Sequence, residues 1–406
     1  MQMKQNIPYS RQYINNEDIR EVIKVLKSDF LTQGPKIPEF EEKLAGYCGS
    51  RYAVVFNSGT SALHGAYFAL GLGKGDEFIT SPITFVATAN AGLYLGAKPV
   101  FVDVEPDTGN IDASKIEKKI TKRTRLITPV HYAGHPVDLD RIRDIATRHK
   151  LFVVEDACHA LGAKYNHQSK TNNWTKIGSC SHSDMTVLSF HPVKHITTGE
   201  GGAVLTNSKE YCNKLLMFRS HGITKDKTLL KNYDNLHNYD NYNNLISHVA
   251  DWYYEMQSLG YNYRMTDIQA ALGISQLRKL DTFVEKRRAI ADVYRKAFLN
   301  NTYFDIPTEK DYAYSSYHLY PIRLKDKYKN RKKEIFARMR KIGLGVQVHY
   351  IPVYLQPYYR ELGYKNGSCP VAEDFYHKEI SLPMFPGLKH KDIKTVIEKV
   401  LTAFNS

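Results

Sequence analysis

The chain has 406 residues, 42% of them hydrophobic and 24% charged, with 25 Gly and 16 Pro; this is globular composition, and it excludes a disordered, collagen-like or coiled-coil protein. The length predicts two or three domains, or one large α/β domain with an appendage. An excess of 56 Lys and Arg over 42 Asp and Glu gives a net charge of +14, which predicts attraction to polyanions, phosphorylated ligands or acidic membranes; the charge is scattered, and its densest runs, 118–125 and 329–333, read as solvated helix faces or loops.

Residues 1–11 are polar and lack the apolar core of a signal peptide. No apolar run approaches the roughly 18 residues of a membrane helix, so a cytoplasmic protein with no membrane partner is expected. Asn15 opens a helix through Lys27. From about 50 to 210, short apolar runs alternate with helical patterns, the signature of a parallel sheet flanked by helices. Strands are predicted at 52–56, 78–81, 99–102, 126–130, 151–155, 185–190 and 203–206, and helices at 61–72, 84–95 and 138–149. Two polar segments, 166–176 and 224–244, read as surface loops. Residues 264–297 read as helical with a break near Leu280. Beyond them strands and helices mix, as at 317–324, 332–342 and 391–403. The division is a large domain over 1–285 and a smaller α+β domain over 286–406, with the N-terminal segment able to pack on the smaller one. Five cysteines, odd in number, widely spaced and without a CxxC, indicate neither disulfides nor a zinc site, and no metal is expected.

Ligands of open α/β sheets bind at the carboxyl ends of the strands. At one such end lies Ser189-Phe190-His191-Pro192-Val193-Lys194, followed by Thr197-Thr198-Gly199-Glu200-Gly201-Gly202. A lysine in a tight loop beside a sheet can be desolvated, its pKa lowered, and so attack an aldehyde. At a second, Asp156 ends the apolar strand of Val153-Val154-Glu155-Asp156; a carboxylate there needs a cationic partner, and a protonated pyridine nitrogen is one. At a third, Asn57-Ser58-Gly59-Thr60-Ser61-Ala62-Leu63 forms a strand-to-helix turn whose amides and hydroxyls suit a phosphate. Singly, each has a plain structural reading: an incidental loop lysine, a helix cap or ion-pair partner, simple capping. Together they are what a pyridoxal phosphate site requires.

These residues, with Thr84-Phe85-Val86-Ala87-Thr88-Ala89-Asn90, 155–163 and Tyr261-Asn262-Tyr263-Arg264-Met265-Thr266-Asp267-Ile268-Gln269, resemble the DegT/DnrJ/EryC1/StrS sugar aminotransferases over nearly the whole chain. The resemblance implies an α/β protein of the aspartate aminotransferase fold (fold type I), with a large mixed or parallel sheet domain. It implies pyridoxal 5'-phosphate bound as a Schiff base to Lys194, which also shuttles the proton. Asp156 resembles the partner of the pyridine nitrogen, His159 the group beside the phenolic oxygen, Phe85 the stacking ring, and Gly59, Thr60, Ser61 and Ser189 the phosphate ligands. Asn262 resembles the residue that reaches the site from a neighbouring subunit, which implies a homodimer with a shared active site.

Within the family, Pro8-Tyr9-Ser10, Leu31-Thr32-Gln33-Gly34-Pro35, Tyr132-Ala133-Gly134, Ser220-His221-Gly222-Ile223, Trp252-Tyr253-Tyr254-Glu255-Met256, Tyr317-His318-Leu319-Tyr320 and Gln347-Val348-His349-Tyr350 are most similar to the branch serving pseudaminic acid biosynthesis. That branch aminates carbon 4 of an altro-type UDP-4-keto-6-deoxy-N-acetylhexosamine. The implied donor is L-glutamate, released as 2-oxoglutarate, and the implied substrate contacts are Tyr9, Asp29, Phe30, Leu31, Thr32, Ser58, Ser189, Asn262, Tyr317, His318, Leu319 and Tyr320. The chain departs from the pattern at 224–244 and in a polar insert at 171–174. Three rivals stand beside this reading. One is an aminotransferase for another nucleotide-linked keto-sugar. A second is a cofactor-dependent sugar dehydratase of the same fold, which carries a histidine where Lys194 stands. The third is a basic nucleic-acid-binding protein, for which no binding signature is present.

Overall fold

The computed structural model describes residues 6–167, 174–231 and 252–404. Seven strands form the central sheet: β1 (Tyr52–Phe56), β2 (Glu77–Thr80), β3 (Lys98–Phe101), β4 (Thr124–Thr128), β5 (Phe152–Asp156), and, after the short strands β6 (Lys164–Asn166) and β7 (Trp174–Lys176), β8 (Met185–Ser189) and β9 (Gly202–Thr206). Their order is β1-β9-β8-β5-β4-β2-β3. All seven sequence-predicted strands are present, each within a few residues of its expected bounds.

Alternate residues of each strand feed two cores. From β1, Ala53 and Val55 join one cluster with Ile127, Val153 and Leu188, while Val54 and Phe56 join the other with Leu126, Val154 and Val187. Both faces are therefore apolar, which is why the strands read as continuous hydrophobic runs. Helices cover them: α1 (Asn16–Leu26), α2 (Lys36–Cys48), α3 (Gly59–Ala69), α4 (Ala87–Leu93), α5 (Leu139–His149) and α6 (Lys209–Phe218). Asn15 caps α1 in a reciprocal box with Asp18, as its position before the apolar pattern predicts. Helix α4 is shorter than the expected 84–95, because Thr84 and Phe85 stay in the approach to it.

The sheet is parallel except at β9, which runs antiparallel to both β1 and β8. A parallel return needs a crossover element, and the link from β8 to β9, residues 190–201, contains no helix. The chain therefore doubles back, and this loop carries Lys194. Gly202 faces Phe56 on one side and Ser189 on the other. A Cβ on Gly202 would lie 2.5 Å from the Ser58 carbonyl oxygen and 2.7 Å from the Gly59 nitrogen, so only a glycine lets β9 run so close beneath the start of α3.

The segment 166–176, expected as a loop, is strand at both ends: β6 pairs with β7 and with Ala313–Tyr314, and 168–173 lie outside the described residues. Ile223–Thr224 pairs with Glu255–Met256; the stretch 232–244 of the second expected loop is also outside the described residues. The predicted helical stretch breaks at Arg278 and Lys279, giving helices Asp267–Leu277 and Leu280–Phe298.

Leu280–Phe298 crosses the expected domain boundary without interruption. Its Leu280, Phe283 and Val284 belong to the large core, and its Ile290, Ala291, Tyr294 and Phe298 to a second core built on strands Tyr320–Leu324 and Glu379–Leu382 and helices Lys332–Lys341 and His390–Thr402. Ile7 joins the second core and its amide bonds the Gly343 carbonyl, so the N-terminal segment packs there. A further cluster sets Phe101 and Tyr132 against Tyr354, Tyr359 and Phe375, so part of the C-terminal third rests on the large sheet.

Replacing Gly202 with Ala is expected to lower stability by about 1–3 kcal/mol, since the new methyl meets backbone atoms that cannot rotate away. The urea midpoint should drop with little change in slope; an unchanged midpoint would contradict the close approach of β9 to α3.

Candidate active site

The turns after β1, β5 and β8 open into one cleft of about 440 Å³. After β1, Ser58 caps α3: its Oγ accepts from the Ser61 amide at 3.1 Å, and the Ser58 amide donates to Ser61 Oγ at 3.1 Å. Ser61 Oγ in turn donates to Asn57 Oδ1 at 2.7 Å. Ser61 is thereby committed to the cap and does not line the cleft, whereas Ser58, Gly59 and Thr60 do. The amides of Gly59 and Thr60 have no hydrogen-bond acceptor among the described residues, which leaves two donors at the positive end of a helix dipole. Ser189, at the end of β8, stands beside them: a Cβ on Gly59 would be 3.0 Å from the Ser189 Cβ.

At the end of β5, Asp156 is buried and its carboxylate is fixed from both sides. Thr88 Oγ1 donates to Oδ2 at 2.6 Å and the Cys158 amide donates to Oδ1 at 3.2 Å. Thr88 is supported by Thr84, whose hydroxyl lies 2.8 Å away. Such a carboxylate keeps acceptor capacity for a cation in the cleft. Lys194 projects from the β8–β9 loop, half-buried. Burial lowers its pKa, partly opposed by Cys158 and Asp156; an amine so placed loses its proton more readily than an ordinary lysine and becomes a nucleophile.

His159 is buried, and its pKa is pushed well below the ordinary imidazole range, first by burial and then by the charge of Lys194. Its Nε2 is 3.1 Å from the Tyr350 hydroxyl, and its Nδ1 has no hydrogen-bond partner among the described residues. His318 packs on it at a ring separation of 4.3 Å, and His195 on His318 at 5.5 Å. Phe85 presents its ring to the cleft, 58% exposed, with Tyr350 6.3 Å away.

Of the residues expected from the sequence, the cleft brings together Tyr9, Ser58, Gly59, Thr60, Phe85, Asp156, His159, Ser189, Lys194 and His318. It does not bring in Asp29, Phe30, Leu31, Thr32 or Asn262, all of which are exposed elsewhere on the same chain. Thr32 bridges Thr266, and Asn262 bridges Ser220. Tyr317, Leu319 and Tyr320 also lie outside the cleft. The Tyr317 hydroxyl is 3.5 Å from Glu309, Leu319 sits in the cluster with Tyr354, and Tyr320 is in the second core. Of that run only His318 faces the cleft, because its neighbours turn to the packed side.

Sequence reasoning gave no role to Thr88, His349 or Tyr350, although all three fall in quoted motifs. His349 lines the cleft 5.7 Å from the Tyr9 ring. Its Nδ1 is held by Ser381 at 2.8 Å and its amide by Glu379 at 2.8 Å. No local pattern in Gln347-Val348-His349-Tyr350 singles it out.

A model of the DegT/DnrJ/EryC1/StrS aminotransferase family matches residues 12–401. The chain is 42% identical over 395 residues to the UDP-4-amino-4,6-dideoxy-N-acetyl-beta-L-altrosamine transaminase of Campylobacter jejuni, covering 96% of this chain and 95% of that one. Among solved structures it is similar to Helicobacter pylori PseC, an aminotransferase involved in the biosynthesis of pseudoaminic acid, with a TM-score of 0.88, 38% identity and coverage of 99% and 100%. It is also similar to the PLP form of Spr1654, a proposed sugar aminotransferase of Streptococcus pneumoniae, with a TM-score of 0.86, 29% identity and coverage of 98% and 99%.

The buried histidines make a pH prediction. His159, His195 and His318 have folded pKa values well below the ordinary range, chiefly through burial, so they stay neutral in the native protein. In the unfolded chain they take up protons below about pH 6.5. The unfolded state then binds more protons, and stability should fall as pH drops from 7 to 5, by up to about 1.4 kcal/mol per pH unit for each histidine. Urea unfolding at pH 7, 6 and 5 measures this; a flat profile would contradict neutral burial.

Proposed function

The chain belongs to the DegT/DnrJ/EryC1/StrS aminotransferase family and is a PLP-dependent nucleotide-sugar aminotransferase, and on that premise we propose that it aminates carbon 4 of an altro-type UDP-4-keto-6-deoxy-N-acetylhexosamine, with L-glutamate as donor, in pseudaminic acid biosynthesis. The observation that carries the substrate reading is the end-to-end likeness to the Campylobacter jejuni transaminase. Its support in the structure is a cleft whose residues fit the cofactor. Two amides without an acceptor among the described residues and Ser189 suit the phosphate, an exposed aromatic face suits the ring, a doubly anchored carboxylate suits the pyridine nitrogen, and the buried imidazole of His159 lines the same cleft as Lys194.

Lys194 would carry pyridoxal phosphate covalently, with Asp156, His159, Phe85, Gly59, Thr60 and Ser189 around it. When bound, the group supplies an electron sink for the charge left as a proton leaves the amine-bearing carbon. The protein supplies the rest. Asp156, held by Thr88 and the Cys158 amide, keeps a proton on the pyridine nitrogen. Lys194, its proton loosened by burial, takes the proton from the donor carbon and returns it on the other side of the transfer. His159, neutral in its buried place, offers a hydrogen bond without adding charge. Phe85 covers one ring face and excludes water from it. Asn262 and the exposed run of Asp29, Phe30, Leu31 and Thr32 are assigned to the partner's cleft in a homodimer, a reading supported by their exposure and their absence from their own cleft.

Product analysis by NMR, with L-glutamate and the altro- and gluco-type keto-sugars in separate reactions, is expected to show an amine at carbon 4 of the altro-type sugar. Preference for the other epimer moves the enzyme to a different nucleotide sugar and leaves the class intact. Lys194→Ala is expected to abolish turnover, a loss of at least about 10³-fold; more than a trace of residual activity would remove Lys194 from its role.

A further inference from the structure

Away from the cleft, three side chains from separate stretches of the chain point at one spot. Asp140 lies in the first turn of α5, His167 directly follows β6, and His182 lies between β7 and β8. His182 Nε2 is 3.1 Å from Asp140 Oδ1 and 3.5 Å from His167 Nδ1, and His167 Nδ1 meets the same Asp140 oxygen. The two imidazole nitrogens and the carboxylate oxygen all fall within 4.8 Å of one another. We propose that Asp140, His167 and His182 bind one divalent transition-metal ion, of which zinc is the best fit.

The donor set and its spacing carry the assignment. Zinc takes imidazole nitrogen and carboxylate oxygen at about 2.0–2.2 Å, so neighbouring ligand atoms of a tetrahedral site stand about 3.3 Å apart. Two of the three separations, 3.1 and 3.5 Å, bracket that value; the third, between His167 and Asp140, is a closer hydrogen bond that must open by a side-chain rotation to admit the ion. Both imidazole nitrogens share a single Asp140 oxygen; a cation at the centre would accept a lone pair from each of the three donors and neutralise the carboxylate. Two nitrogens and one oxygen also select a borderline ion over magnesium or calcium, which prefer all-oxygen sites.

The surroundings hold the ligands in place. Tyr165 packs edge-on against His182, ring centres 5.2 Å apart at 71°, and its hydroxyl accepts the Asp140 amide at 3.1 Å. One residue thus orients two ligands, the arrangement that fixes ring direction around metal sites. The His182 side chain is 12% exposed, Asp140 27% and His167 48%, so an ion can enter from solvent and a water can complete the tetrahedron. None of the three lines the cleft. The ion would pin the start of α5 to the end of β6 and to the loop between β7 and β8, and its effect would be on stability.

The test is calorimetric titration of the untagged, cofactor-loaded full chain with zinc chloride, and with cobalt chloride read by visible absorption. One equivalent per chain is expected to bind saturably, to give tetrahedral cobalt bands and to raise the melting temperature. His182→Ala should weaken binding by at least about tenfold, and His167→Ala/His182→Ala should abolish it, while both variants keep their aminotransferase activity. Absence of saturable binding to the parent protein, or equal binding to the double variant, would overturn the proposal.

Discussion

The site depends on one close backbone approach. Because Gly202 lacks a side chain, β9 can pass directly under the first turn of α3, and because β9 pairs antiparallel with both β1 and β8, it ties the ends of those strands together. The helix end with its two unbonded amides and the loop that carries Lys194 are thus held by the same three-strand ladder. Asp156, one strand further along the sheet, joins them through the parallel pairing of β5 with β8. No single segment builds the cleft; the sheet order does, by placing Ser58, Asp156 and Lys194, about 100 and 40 positions apart in sequence, along one edge of the sheet.

That explains what could be read from the sequence. Strand ends are marked by where an apolar run stops, so Asp156, Ser189 and the turn at Ser58 announced themselves, and Lys194 followed from its loop. The walls did not. His349 and Tyr350 reach the cleft through packing of the C-terminal third onto the large sheet, a contact more than 150 residues distant in sequence from Lys194 and without a periodic signal. The run Tyr317 to Tyr320 shows a second limit. The family resemblance marked it as a contact, but which of four consecutive side chains faces the cleft is set by local backbone geometry, including a positive φ of 45° at Tyr317. Ser61 shows a third: the residue stands in the expected turn, yet its hydroxyl is spent on capping the helix. The Asp140, His167 and His182 cluster had no local motif at all, since its members are 27 and 15 residues apart and meet only when β6, β7 and α5 are packed.

The electrostatic character of the cleft comes from withholding charge. His159, His195, His318 and His349 surround Lys194 and all are driven toward neutrality by burial. Were they cationic, they would repel any proton that Lys194 must accept. Kept neutral, they provide polar contacts with little cost to the basicity of the amine, and they leave Asp156 as the fixed negative charge that a cationic ring nitrogen would meet.

Helix Leu280–Phe298 gives the molecule its mechanical character. It is 19 residues long, about 28 Å at the rise of an α-helix, and each half is embedded in a different core. Two bodies joined by a loop can swing; two bodies that share an unbroken helix can only roll about it or bend it. The cluster of Phe101 with Tyr354 and Tyr359 adds a second fastening some way from that axis. The wall of the cleft that bears His349 and Tyr350 is therefore attached to the large sheet at two separate places, and the spacing between Phe85 and Tyr350 rests on both attachments.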